Sequence, residues 1–145
     1  MSENDFLRIE GALNLRLPKD YRELMLNYPF SKDSLSADDL LPNDAEVLIT
    51  HNQVSDLHSL MAMSSNPSVP LGNYFSIGSD SSEESYWIDV TSPKSPVYKF
   101  DLECCDLTIK AANLEEYVKQ CWHIEEEIKK DEQYMSRRRW WQFWR

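Results

Sequence analysis

Glycine is scarce in this chain, with three residues in 145. Phosphate-cradling loops need several glycines, because their backbone must approach the phosphates with no Cβ in the way, and neither the G-x-x-x-x-G-K nor the G-x-G-x-x-G pattern occurs. Cysteine is scarce too. Cys104 and Cys105 are adjacent and Cys121 stands alone, so the spacing gives neither a disulfide framework nor a C-x-x-C zinc site. The three histidines, His51, His58 and His123, stand apart, and no carboxylate at matching spacing turns the His51/His58 interval into a metal set. No apolar run approaches the roughly 20 residues that cross a bilayer. Residues 1–5 are acidic and lack the basic and apolar regions of a secretion signal, which leads us to expect a cytoplasmic protein. No Ser or Cys sits in a nucleophile setting. The adjacent carboxylates Glu83-Glu84 and Glu115-Glu116 diverge and suit solvent better than acid–base work. The expectation is therefore no enzyme, with no catalytic residue, no metal and no cofactor.

What the chain does have is acid. All 25 acidic residues and 11 of the 15 basic ones precede residue 137, so this body carries −14 while the last nine residues carry +4. Such a body repels nucleic-acid phosphates and attracts basic proteins. With 41% hydrophobic and 12% aromatic residues, a chain of this length supports one buried core.

Along the chain, Phe6, Ile9 and Leu13 fall at helical spacing after the candidate caps Ser2 and Asn4. Pro18 suits the first position of a second helix with Tyr21, Leu24, Met25 and Tyr28 on its apolar face, stopped by Pro29. Residues 31–46 are polar and predict a loop with at most one helical turn. A third, less regular helix is expected from Asp44 to about Met63. The period then shifts from about 3.6 to 2. Tyr74–Ile77, Tyr86–Val90 and Val97–Phe100 are aromatic and β-branched runs separated by turn formers, and Asp106–Lys110 fits a fourth strand. Asn113, with Glu116 three residues on, caps a final helix with an apolar stripe of Leu114, Tyr117, Val118, Cys121, Trp122 and Ile128. This order predicts an α+β fold: a mainly antiparallel sheet of about four to six strands, N-terminal helices and one long C-terminal helix. The expected division is a single domain over 1–136 and a tail over 137–145.

The acidic turn between the first two strands is the best candidate contact surface. Asp80, Glu83, Glu84 and Asp89 supply carboxylates, with Tyr86 and Trp87 either beside them or in the core. Asp38 and Asp39, in the polar 31–46 stretch, offer a second acidic surface. The tail is different in kind. Trp140, Trp141, Phe143 and Trp144 stand among four arginines, and large apolar side chains are costly to leave in water. Three seats suit them: a groove of the chain's own domain, a partner or second copy (a homodimer), or a lipid surface. The acidic body, repelled by anionic lipid, ranks protein above membrane.

Four blocks of this sequence resemble the SUKH superfamily, which takes in fungal cell-wall-synthesis regulators and bacterial toxin-immunity proteins. They are Ile9-Glu10 with Leu13; Leu17-Pro18-Lys19-Asp20-Tyr21-Arg22; Ile77-Gly78-Ser79-Asp80 with Tyr86-Trp87-Ile88-Asp89; and Pro96-Val97-Tyr98-Lys99-Phe100-Asp101 with Leu114-Glu115-Glu116-Tyr117-Val118. The resemblance spans roughly residues 6–122. The chain departs from it in having Ser81-Ser82-Glu83-Glu84 where the hairpin turn is often glycine-rich, and in its last nine residues. The resemblance implies a protein-binding domain with a protein partner. One role it offers is an immunity protein that occludes a basic, nuclease-type toxin domain. The other is a regulatory scaffold that binds a peptide or signalling partner.

Overall fold

A computed structural model describes residues 1–54, 73–80, 84–101 and 105–142, with the side chains of Val54 and of 132–142 excepted. Helix α1 (Glu3–Leu13) starts at Ser2, whose side chain accepts from the Asp5 N–H while the Asp5 carboxylate accepts from the Ser2 N–H. The Ser2 N–H and then the Ser2 hydroxyl, each donating to it at 2.8 Å, hold the Asp5 carboxyl below its usual range. The helix stops at Asn14, in the left-handed region at φ 51°, which asparagine tolerates. Helix α2 (Lys19–Leu26) begins one residue later than expected, since Pro18 is extended and serves as the N-cap. It ends at Leu26, before the residues leading into Pro29 leave helical geometry. Glu10 ties the two helices together. Its carboxylate accepts from the Leu17 N–H at 3.0 Å and from Arg22 at 3.2 Å.

The polar 31–46 stretch contains one π-helical segment, Ser36–Leu40. Helix α3 (Ala45–Val54) follows, with the Asp44 carboxylate accepting from the Glu46 and Val47 N–H groups at its start. The expected continuation to Met63 lies outside the described residues.

Strands β1 (Tyr74–Ser79), β2 (Ser85–Asp89), β3 (Val97–Asp101) and β4 (Asp106–Ala111) form an antiparallel sheet in the order β1-β2-β3-β4. The four runs read from period-2 patterning are these strands. At the β1 edge, Asn52 of α3 pairs with the backbone of Ser76 through both its amide groups, at 2.7 and 3.0 Å. Among the described residues, that covers part of the β1 edge. Helix α4 (Leu114–Gln142) closes the chain; Asn113 accepts from the Glu116 N–H and Glu116 accepts from the Ala112 N–H.

The two sheet faces bury different clusters. Phe75, Ile77, Tyr86 and Ile88 join Phe6, Ile9, Tyr21, Met25, Leu48 and Tyr117 in the main core, with the Tyr21 ring edge-on to Phe75 at 5.5 Å. Trp87, Phe100 and Leu107 form a smaller cluster with Tyr74 and Tyr98. The α4 stripe departs from the periodic expectation. Leu114, Tyr117 and Cys121 are buried, but Trp122 is 42% and Ile128 36% exposed, while Glu125 is buried. Glu125 continues the inward face of Leu114, Tyr117 and Cys121, Trp122 lies at its margin, and Ile128 is in phase with that face yet exposed.

Candidate functional site

The β1–β2 hairpin is built around Asp80. Its N–H donates to the Glu84 carbonyl at 2.9 Å, and its carboxylate accepts from the Glu84 N–H at 3.2 Å and the Tyr86 hydroxyl at 2.7 Å. Glu84 in turn accepts from Lys99 of β3 at 2.7 Å. That bond is the main reason the Lys99 ammonium is held above its usual pKa. Burial, then the bond to Asp80, raises the Tyr86 phenol pKa as well. Tyr86 thus has its ring in the core and its hydroxyl on the hairpin carboxylate. Trp87 faces the opposite side of the sheet, its indole N–H donating to Ser85 at 2.7 Å.

The four hairpin carboxylates do not gather at one point. Asp89 ends β2 opposite Tyr74, four residues along an extended strand from Ser85, about 13 Å away. There it accepts from the Thr91 N–H and hydroxyl at 2.9 and 2.7 Å and closes the following turn. Glu83 lies outside the described residues.

Asp38 and Asp39 are brought to the hairpin instead. Their π-helical segment is clamped from two sides. In α4, Glu125 accepts from the Ser36 N–H at 2.7 Å and the Tyr117 hydroxyl donates to the Leu40 carbonyl at 2.7 Å. In β1, Gly78 leaves the room that backbone needs: a Cβ at Gly78 would stand 2.2 Å from the Leu40 oxygen and 2.6 Å from the Asp39 oxygen. Asp39 is therefore seated against the strand two residues before Asp80, with Asp38 exposed beside it. Tyr86, Tyr117 and Cys121 are buried in the core behind the hairpin. The Tyr86 and Tyr117 rings are 5.4 Å apart, and burial pushes the Cys121 thiol up to about 11. A buried neutral thiol is structural rather than reactive.

Sequence reasoning did not find the grooves on another side of the molecule. A groove of about 580 Å³ is lined by Leu24, Leu114 and Val118 with Asp20, Lys94 and Glu115. It shares Asp20 and Lys94 with a second groove of about 400 Å³ under the β2–β3 turn. Lys94 adopts φ 59° in that turn, a conformation that lysine patterning gives no sign of. Among the described residues, no group of three His, Cys, Asp or Glu side chains is placed to hold a metal ion. No helix of the described residues is long and apolar enough to cross a membrane. The backbone of Trp140 and Trp141 lies in the last turns of α4, while Phe143 and Trp144 lie outside the described residues.

No curated protein and no solved structure matches the chain. One family model does, over residues 1–120, which takes in the opening helices, the clamped π-helical segment, the whole sheet and the first two turns of α4. With most of its length inside that match and the α+β architecture already in place, the chain belongs to the SMI1 / KNR4 family (SUKH-1).

Proposed function

We propose that this protein is a non-catalytic, cytoplasmic binding domain that neutralises a basic, nuclease-type toxin by covering its substrate-binding surface. A nuclease presents lysine and arginine to hold phosphates, and a rigid display of carboxylates competes for those groups. The observation that carries the reading is the seating of Asp39 and Leu40 against Gly78. It brings the backbone of one acidic segment against the strand that leads into the other, and in this reading Asp38, Asp39, Asp80 and Glu84 act as one surface. Glu83, in the turn between Asp80 and Glu84, adds to the same acidic end of the hairpin by its place in the sequence. Tyr86 and Lys99 orient the Asp80 and Glu84 carboxylates, which lowers the entropy lost on binding. In this reading Trp87 stabilises the sheet and Asp89 closes a turn. No cofactor or metal takes part, and nucleic acid is not a ligand.

The test is co-expression with the toxin domain encoded beside the gene. Reversing Asp38, Glu83 and Glu84 to Lys is expected to abolish protection while leaving the circular dichroism spectrum unchanged, with the thermal midpoint lowered only by the loss of the Glu84–Lys99 ion pair. Full protection by the folded triple variant removes this surface from the reading. If no toxin domain is encoded there, a regulatory scaffold that recognises a basic peptide through the same carboxylates takes its place.

A further inference from the structure

Three grooves run together away from the acidic hairpin, joined by shared residues. The first, of about 580 Å³, has Leu24, Leu114 and Val118 as its apolar lining and shares Asp20 and Lys94 with the second, of about 400 Å³. The second shares Val90 and Thr91 with a third, of about 360 Å³, between the α1–α2 connection and the start of β1. The first and third share no residue, so the three lie in succession. A compact ligand fills one depression, whereas connected depressions in succession have the shape of an extended peptide segment. The charges along this trough are partly unanswered. Lys19 and Glu23 close on each other at 3.3 Å, and Glu115 holds Lys119 at 2.7 Å. Acidic residues outnumber basic ones 25 to 15, yet neither Lys94 nor Arg16 of the third groove forms an ion pair among the described residues. Asp20 faces the same two grooves as Lys94, and its carboxylate accepts only from the Tyr21 N–H among those residues, at 3.0 Å. Lys94 is exposed and held at φ 59°, where glycine escapes the Cβ penalty that lysine bears. The turn alone gives no reason for a lysine there.

We infer that this trough seats an extended segment of a protein partner through charge complementarity. A large apolar side chain of that segment lies against Leu24, Leu114 and Val118, a base meets Asp20, and carboxylates meet Lys94 and Arg16. A segment with charges of both signs is close to neutral, so the acidic body does not repel it as it repels a polyanion. The strain at Lys94 is then a cost carried for a side chain that holds the partner. None of these residues belongs to the Asp38–Asp39 or Asp80–Glu84 segments, so this is a second contact surface and does not depend on the toxin reading.

Selection of phage-displayed random heptapeptides on the full chain tests this, since such a peptide spans roughly 23 Å when extended. Enriched peptides are expected to carry one large apolar residue with a base and an acid close to it, and fluorescence anisotropy reads their affinities. Lys94→Gly should weaken binding about 5-fold or more while the thermal midpoint holds or rises, because glycine suits φ 59°. A risen midpoint with undiminished binding overturns the inference. Lys94→Glu should weaken binding further, and replacing the peptide's acid by lysine should then return the affinity to within about threefold. Lys32→Glu makes the same change of charge at an exposed residue that lines none of the three grooves, and should alter binding less than about twofold. Equal losses in Lys94→Glu and Lys32→Glu overturn the inference. So do the absence of any enriched peptide, enrichment of uniformly basic peptides, and self-association of the chain that Lys94→Glu abolishes, which would seat a second copy in the trough.

Discussion

The Tyr117 hydroxyl donates to the Leu40 carbonyl oxygen at 2.7 Å, joining the C-terminal helix to a segment 77 residues earlier. Tyr117 stacks at 5.4 Å on Tyr86, whose own hydroxyl holds Asp80. One phenol therefore orders the π-helical segment and the next orders the hairpin, so the two acidic segments share a foundation.

Tyr117→Phe leaves the Leu40 carbonyl without this donor and should cost about 1–2 kcal/mol in urea unfolding. Tyr21→Phe is the contrasting case. The Tyr21 hydroxyl is buried with no hydrogen-bond partner among the described residues, so its removal should be neutral or slightly stabilising. Equal losses for the two variants would contradict the assignment.

Gly78→Ala drives a methyl into two backbone oxygens and should destabilise by about 2–3 kcal/mol, displacing the Asp38–Asp39 segment. Gly11→Ala meets nothing within 4 Å inside α1 and should stabilise by about 0.5–1 kcal/mol. Thermal unfolding of both variants reads the opposite signs directly.

Glu125 is buried because it accepts from the Ser36 N–H. Glu125→Gln keeps an acceptor there and should cost less than Glu125→Leu, which strands the donor at about 1–3 kcal/mol despite adding apolar volume. Chemical denaturation that ranks Leu above Gln in stability would show that the bond is dispensable.

Alkaline pH should unfold this protein cooperatively. Burial raises the pKa of Cys121 from 9.0 to about 11, and burial also raises Tyr21, Tyr28, Tyr86 and Tyr117 above the usual tyrosine value. The folded state then binds more protons than the unfolded state above about pH 9, so stability from these groups is complete below that pH and falls as pH rises. Between pH 9 and 11 the Cys121→Ala variant should show a slope shallower by up to about 1.4 kcal/mol per pH unit. An unchanged slope in urea titrations across that window would refute burial of the thiol.

Much of the fold is legible in local pattern. Ser2 and Asn113 cap helices where their side chains and spacing predict, and the aromatic, β-branched runs after residue 73 are strands of one antiparallel sheet. These features depend on neighbours a few residues apart. The site is less legible. Residues 36–40 carry no helical pattern, because their turn is held by Glu125, Tyr117 and the space above Gly78 rather than by their own propensities. Asp89 reads as part of an acidic cluster because it is near in sequence, and strand extension carries it to the far end.

By itself the sequence determined the class of the fold, the place of the four strands described, the strongly acidic body and the scarcity of glycine, cysteine and histidine. Those properties follow from composition and short-range periodicity. Only the tertiary structure decided that the Asp39 backbone is seated against Gly78, that Trp122 and Ile128 face solvent while Glu125 does not, and that α4 stays helical through the exposed residues 126–131. Such outcomes depend on where distant segments meet, and on whether a helix in phase with the core still has core beside it.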